Sequence, residues 1–417
     1  MIRSLKFFLL KFKRKWLSEL SCLAEFSIRK LVFDNQAIIP FINANNYHSF
    51  LRKKTLLEQL GPSRKSIFFV FRDLHILDWF TPIHRAIESE FSDKYQVIYV
   101  DFGSTLKHVG KGFAYLAYKK EVEKRLIDSG IPQFLHFSDQ ELSLFEMFPN
   151  PDMIVTSETI RHEKFQCTQR VYIPHYSVPK LKAVVPKKIR FNHMFQATRP
   201  PFCYNEIINQ VPIKAEIHEV GYPKMHPYDI PSVALFDSDK PVVIYAPSVE
   251  TEIIIDAVKK GILGVFRNMA HVNFIIKLHP TLASGMFDLS NYLHKEIAST
   301  PNVIIDMRTS IQAISASSSI LINDFGSAGA EYKLSFGKRL IYLDVPDYLE
   351  GAADLRFRDR FADGRSNVSD LEAVITRVLE MGELSIEEWD KMGHETLFSF
   401  KTADKTAAST IHAILQR

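Results

Sequence analysis

Residues 320–331 read Ile-Leu-Ile-Asn-Asp-Phe-Gly-Ser-Ala-Gly-Ala-Glu. Ile320-Leu321-Ile322 is an apolar run with no polar alternation, as expected of a strand buried on both faces of a parallel sheet. Asn323 to Ser327 carries turn chemistry, and Ala328 to Leu334 is predicted to be a helix. A strand, a Gly/Ser turn and a helix N-terminus together make a phosphate site. The turn supplies backbone N–H groups and the Ser327 hydroxyl. Glu331 lies four residues after Ser327, on the same helix face, where its carboxylate can accept a ribose hydroxyl. The same residues also suit an ordinary βα loop with a helix cap, and the turn alone does not distinguish the two.

Working outward from this turn, strand and helix patterns alternate. Ahead of it come strands at Pro241–Tyr245, Val272–Leu278 and Val303–Ile305, a long helix at Ile253–Met269 weakened by Gly261 and Gly264, and a short one at Ile311–Ala316. After it come a strand at Arg339–Leu343, a helix to Glu380 capped by Ser369 with Glu372 as its reciprocal partner, and a last helix at Thr406–Leu415. A second such series occupies the first half of the chain. Strands are predicted at Ser66–Phe71, Tyr95–Val100, Gln133–Phe137, Met153–Thr156, Arg170–Pro174 and Lys214–Val220, with helices at Ile83–Phe91 and Lys119–Ser129. Such alternation implies parallel sheets covered by helices on both faces.

The stretch from Met225 to Lys240 lacks periodicity and holds His226-Pro227 and Ile230-Pro231, so it reads as a linker. The expected organisation is a basic amphipathic region at 1–60, an N-terminal Rossmann-like acceptor domain at 61–225, a linker at 226–240 and a C-terminal Rossmann-like nucleotide-donor domain at 241–417. Two doubly wound domains imply a cleft at the carboxyl ends of their strands. The total of 417 residues accommodates two domains. The net charge of +4 excludes a general nucleic-acid binder. The three cysteines form neither a disulfide framework nor a zinc pattern, which points to a reducing compartment.

The first segment, MIRSLKFFLLKFKRKWLSEL, sets Ile2, Leu5, Leu9, Phe12 and Trp16 at helical spacing among Lys and Arg. It is too short and too interrupted for a signal peptide or a spanning helix. An interfacial helix on anionic lipid fits it, and so does an amphipathic helix docked on the protein's own core.

Two histidines follow predicted strands. His279 ends Ile276-Lys277-Leu278-His279-Pro280, where it can donate to a phosphate or stabilise developing charge. His175, in His175-Tyr176-Ser177-Val178-Pro179-Lys180, can act as a general base toward an acceptor hydroxyl or serve structurally, with Lys180 bringing positive charge nearby. Gly221-Tyr222-Pro223-Lys224 reads as a turn without assigned chemistry. No P-loop, GxSxG or HExxH motif occurs. Asp-x-Asp is missing where a metal-dependent sugar transferase would show one, so neither a metal nor a cofactor is expected.

Six short motifs, in order from Arg170 to Glu350, resemble those of the CDP-glycerol glycerophosphotransferase family, which builds teichoic acids and related capsule polymers. They are HYSVPK at His175–Lys180, VGYPK at Val220–Lys224, IYAPS at Ile244–Ser248, IKLHP at Ile276–Pro280, LINDFGSAGAE at Leu321–Glu331 and IYLDVPDYLE at Ile341–Glu350. The resemblance implies a GT-B fold, with His175 and His279 as the catalytic pair. It places Asp324, Ser327 and Glu331 at the nucleotide, together with Ser248, Lys277 and Gly326 on the donor side. It further implies transfer of an alditol phosphate from a CDP-activated donor to a hydroxyl of a surface glycan or lipid-linked acceptor, with release of CMP. The protein would then sit on the cytoplasmic face of the cell membrane. Tyr176 stands where the family has Gly, and Val249-Glu250 where it has Trp-Arg. These departures leave a nucleotide-sugar GT-B glycosyltransferase, or a non-catalytic GT-B scaffold, as alternatives.

Overall fold

The computed structural model describes residues 63–71, 76–101, 150–157, 191–199, 215–224, 235–248, 250–279, 287–306, 311–324, 326–345 and 360–417, with shorter pieces within 124–136 and 167–173 and a few single positions. The N-terminal segment 1–20, His175 and Lys180 lie outside them.

The first half forms a seven-stranded parallel sheet from β1 (Lys65–Phe71), β2 (Tyr95–Asp101), β3 (Phe134–His136), β4 (Met153–Thr156), β5 (Gln169–Tyr172), β6 (His193–Gln196) and β7 (Glu216–Glu219). Their spatial order is β3-β2-β1-β4-β5-β6-β7. β1 is buried from Ile67 to Phe71 because it is central and covered on both faces. Helix α1 (Leu77–Phe91) lays Phe80 and Ile83 on the sheet, and Phe80 meets the Phe69 ring at 4.8 Å. α1 starts six residues earlier than the sequence pattern predicts, despite Pro82 at its sixth position. A proline there withdraws one i→i−4 hydrogen bond, and burial of Trp79, Phe80, Ile83 and Ile87 offsets the loss.

The second half forms a six-stranded parallel sheet from β8 (Val242–Tyr245), β9 (Asn273–Lys277), β10 (Val303–Asp306), β11 (Ile320–Asn323), β12 (Arg339–Leu343) and β13 (Gly364–Ser366), in the order β10-β9-β8-β11-β12-β13. Its connecting helices are α2 (Thr251–Lys259), α3 (Ile262–Asn268), α4 (Phe287–Ile297), α5 (Gln312–Ser315), α6 (Ser327–Phe336), α7 (Leu371–Glu380) and α8 (Ile386–Thr396). In both sheets three strands step outward one way, and the fourth returns to the far side of the first. Each sheet therefore has a switch point, between β1 and β4 and between β8 and β11, with a crevice beyond the carboxyl ends there.

Two local expectations are corrected. The long helix at Ile253–Met269 is two helices, α2 and α3, because Gly261 takes a left-handed φ of 93° between them. Ser369 does not cap α7: the N-cap is Asp370, and the Ser369 hydroxyl donates to Asn367. A reciprocal capping box does form between Ser385 and Glu388 at α8.

Helix α9 (Ala403–Gln416) crosses back to the first sheet and packs on α1. Lys65 Nζ donates to Leu415 O at 2.5 Å, Tyr95 Oη meets His412 Nδ1 at 2.6 Å, and His412 stacks on Phe91 at 4.4 Å. Ala407, Ala408, Ile411 and Ile414 are buried in that core. The driving force is burial of this apolar face, worth about 1.5–3 kcal/mol for each large aliphatic side chain. No helix among the described residues is long and apolar enough to cross a membrane.

Candidate active site

Three neighbouring strands of the second sheet, β9, β8 and β11, deliver the predicted residues to one crevice. β8 pairs with β9 as Tyr245 to Ile276 and with β11 as Tyr245 to Ile322. Continuing those registers brings Ser248, His279 and Asp324 to the same carboxyl-end rim, about 4.8 Å apart from strand to strand. The topology thus gathers residues that are 76 positions apart in the chain.

Asp324 is the clasp of this rim. It is fully buried, and its Oδ2 accepts the Ser248 N–H at 2.7 Å while its Oδ1 accepts the Gly326 N–H at 3.1 Å. One carboxylate thereby ties the end of β8 to the start of α6 across the switch point. Asn323 adds a second tie, its Nδ2 donating to Ala246 O at 2.5 Å. The Ser248 hydroxyl donates to Glu250 at 3.0 Å. Beneath the rim the Tyr245 phenol is pushed well up, first by burial and then by the negative Asp324.

Helix α6 begins at Ser327 with Gly326 as N-cap, and no described side chain caps it. Its first N–H groups therefore face the crevice with the positive end of the helix dipole. Gly329 lets the helix sit close on the sheet: a Cβ there would lie 2.8 Å from Tyr342 Oη and 3.1 Å from Asn323 Oδ1. Sequence reading missed this role. Its signal is the spacing of Gly326 and Gly329, one turn apart, as in nucleotide-binding βα turns.

Lys277 and Glu331 are occupied. Lys277 Nζ lies 3.5 Å from Asp306 Oδ2 on β10, with both side chains buried. Glu331 Oε1 accepts the Tyr222 hydroxyl at 2.9 Å, and its Oε2 accepts Lys224 Nζ at 2.7 Å. Tyr222 and Lys224 follow β7 of the first sheet, so Glu331 bridges the two sheets. Lys224 Nζ also lies over the Trp79 ring at 4.2 Å, and Gln312 Nε2 donates to Lys224 O at 3.0 Å. Sequence reading gave Tyr222 and Lys224 no chemistry, because a contact 107 residues distant leaves no local trace. His279 is exposed beyond the end of β9, the position at which a histidine can reach a ligand. Its predicted partner His175, with Lys180, lies outside the described residues.

Solved structures share this fold. A Listeria monocytogenes protein assigned as a UDP-N-acetylglucosamine 2-epimerase superposes with a TM-score of 0.56 at 10% identity, over 85% of this chain and 96% of that one. A UDP-GlcNAc 2-epimerase from Methanocaldococcus jannaschii, in complex with UDP-GlcNAc and UDP, gives 0.53 at 12% identity, over 85% and 100%. The glycosyltransferase of kitacinnamycin gives 0.51 at 10%, over 85% and 100%. This is a GT-B fold. No protein-family model matches the sequence, and no curated protein is similar to it. At these identities the likeness is one of fold, and the resemblance to CDP-glycerol glycerophosphotransferases rests on its six short motifs.

Proposed function

We propose that this GT-B protein is an enzyme that binds a nucleotide-activated donor at the β8–β11 switch point and transfers the activated group to an acceptor hydroxyl. A nucleotide sugar is the donor of the leading reading. The observation that carries it is the Asp324 clasp, which holds Ser248 and the N-terminus of α6 on either side of the switch-point crevice. A diphosphate laid there meets uncapped helix N–H groups and the Ser327 hydroxyl. A neighbour of the same fold, solved in complex with UDP-GlcNAc and UDP, supports the nucleotide-sugar choice.

In this reading the acceptor oxygen attacks the anomeric carbon, the bond to the diphosphate breaks, and the acceptor proton passes to a base. The nucleoside diphosphate leaves with charge that His279 and the α6 N–H groups are positioned to stabilise. His175 is the proposed base and Lys180 a proposed phosphate neighbour. Asp324, Gly326 and Ser248 shape the donor pocket. Glu331 and Lys277 hold it through their partners, and either can take a donor hydroxyl or phosphate only by exchanging its present contacts.

A second reading, a CDP-alditol phosphotransferase, is favoured by His279 in the Ile-Lys-Leu-His-Pro context. Attack then falls on phosphorus, and CMP leaves. For either reading the acceptor is proposed to be a surface glycan or lipid-linked glycan. Segment 1–20 would hold the enzyme to anionic lipid.

Thermal-shift measurements with UDP, UDP-GlcNAc, other UDP-sugars, CMP-Kdo, CDP-glycerol and CDP-ribitol separate these readings. Stabilisation and turnover with a nucleotide sugar support the first, and the same with a CDP-alditol supports the second. Stabilisation without turnover identifies a binding scaffold. No shift with any nucleotide overturns the site.

A further inference from the structure

At the opposite pole of the first sheet the amino ends of β5, β6 and β7 carry a second cluster that the crevice does not use. Register places His193 beside Glu216, Phe195 beside His218 and Val171 beside His193. Neighbouring residues of paired strands point to the same face and alternate along each strand. Gln169, His193, Glu216 and His218 therefore share one face. His193 Nδ1 lies 3.0 Å from His218 Nε2, Glu216 Oε2 lies 3.6 Å from His193 Nδ1, and Glu216 Oε1 lies 4.0 Å from His218 Nε2. All three ligand atoms fall within 4.8 Å of one another. At metal–ligand bonds of about 2.0–2.2 Å, tetrahedral ligands stand roughly 3.3 Å apart, so small side-chain shifts suffice.

We propose that His193, His218 and Glu216 form a site for a divalent cation of the zinc class. Two imidazoles and a carboxylate match zinc's ligand preference. The second shell is also in place. His193 Nε2 lies 2.9 Å from Gln169 Oε1, so this nitrogen carries the proton and Nδ1 presents its lone pair to the cluster. Metal-bound histidines hold this arrangement through an outer acceptor. Burial holds both imidazoles below their ordinary pKa, followed at His193 by the neighbouring His218, while Glu216 opposes the shift. Arg417, the last residue of the chain, grips both Glu216 oxygens at 2.8 and 3.0 Å. It competes with the cation for that carboxylate. The cation would join the edge strand β7 to β6 at the point where the Arg417 side chain docks. Parallel strands put this point at the far end from the crevice, so its role is to hold structure, separate from the reaction.

The test is titration of the full chain, stripped with chelator, with Zn²⁺ against a chromophoric competitor, and with Co²⁺ followed by visible absorption. One saturable equivalent and a tetrahedral-type Co²⁺ spectrum are expected, with a higher Tm in Zn²⁺ by mass action. Gln169→Ala should weaken binding about 10–100-fold, and His218→Ala and Glu216→Gln by more. Arg417→Ala should tighten it. Circular dichroism checks that each variant is folded, and the spectrum of the unaltered protein stands if one is not. No stoichiometric binding by the unaltered chain, or binding that survives His218→Ala unchanged, overturns the site.

Discussion

At the scale of single residues, Asp324 holds the rim together by accepting two backbone N–H groups, and their loss is costly because both would be left unpaired. Asp324→Ala should lower stability by about 2–6 kcal/mol, at roughly 1–3 kcal/mol for each of the two abandoned donors. In chemical denaturation the midpoint should fall without a change in slope, and nucleotide stabilisation should vanish with it. A variant of unchanged stability would mean that the clasp is not formed. Glu331 was read from sequence as a ribose contact because it shares a face with Ser327. Its carboxylate meets Tyr222 and Lys224, and a donor would share it with them. His84 provides a pH handle. Its burial among Phe69 and Tyr99 lowers its pKa below 6.5, against the opposing pull of Glu88 at 3.1 Å. Because the folded pKa is below the unfolded value, the unfolded chain binds more protons below pH 6.5, and stability is lost as pH falls through the folded pKa. His84→Phe should flatten that part of the stability–pH curve, by at most about 1.4 kcal/mol per pH unit for one proton. An identical slope in the variant would exclude His84 as its source.

At the scale of elements, the second sheet is fastened to α6 by a buried charge cluster. Lys333 on α6 donates to Asp363 at 2.7 Å, and Arg339 on β12 donates to the other oxygen at 3.0 Å. Asp363 also accepts the Leu340 N–H at 2.8 Å. Burial lowers the Lys333 pKa, and Asp363 is the chief influence raising it. Removing the carboxylate strands two cations with little water. Asp363→Ala should therefore destabilise by roughly 3–5 kcal/mol, measured by urea unfolding, whereas an exposed pair such as Arg365–Asp344 should contribute under about 1 kcal/mol. Equal effects at the two pairs would refute the distinction. The same scale explains the helix that divides at Gly261. Apolar spacing runs through the break unchanged, and only the left-handed φ interrupts it.

At the scale of the whole molecule, the first sheet is completed by chain that arrives after the second. Gly221 marks the contact. Its φ is +93°, and a Cβ there would stand 2.2 Å from Phe398 O and 2.9 Å from Ala403 Cβ, in the segment leading into α9. Gly261 has the same φ with nothing within 4 Å. Gly261→Ala should therefore cost only the backbone term, about 1–2 kcal/mol. Gly221→Ala should add overpacking of about 1–3 kcal/mol and loosen α9. Thermal melts of the two variants, with tryptic cleavage near residue 402 as a second readout, test the difference. Equal melting temperatures would mean that the returning segment does not press on Gly221.

Local pattern in the sequence determined that the chain alternates strand and helix in two series, and that a Gly/Ser turn follows a buried strand at residue 323. Apolar runs such as Ile67–Phe71 and Ile320–Ile322 report burial on both faces because no polar residue interrupts them. β6 and β13 escaped that reading: His193–Gln196 mixes polar and apolar residues, and Gly364-Arg365-Ser366 has no apolar residue at all. Strand order, and with it the switch point that joins Ser248 to Asp324, was decided only by tertiary structure. So were the Glu331 bridge, the cluster of His193, Glu216 and His218, and the return of α9. Each depends on partners tens to hundreds of residues apart. Local periodicity records whether a side chain is buried, while packing between distant elements selects what it is buried against.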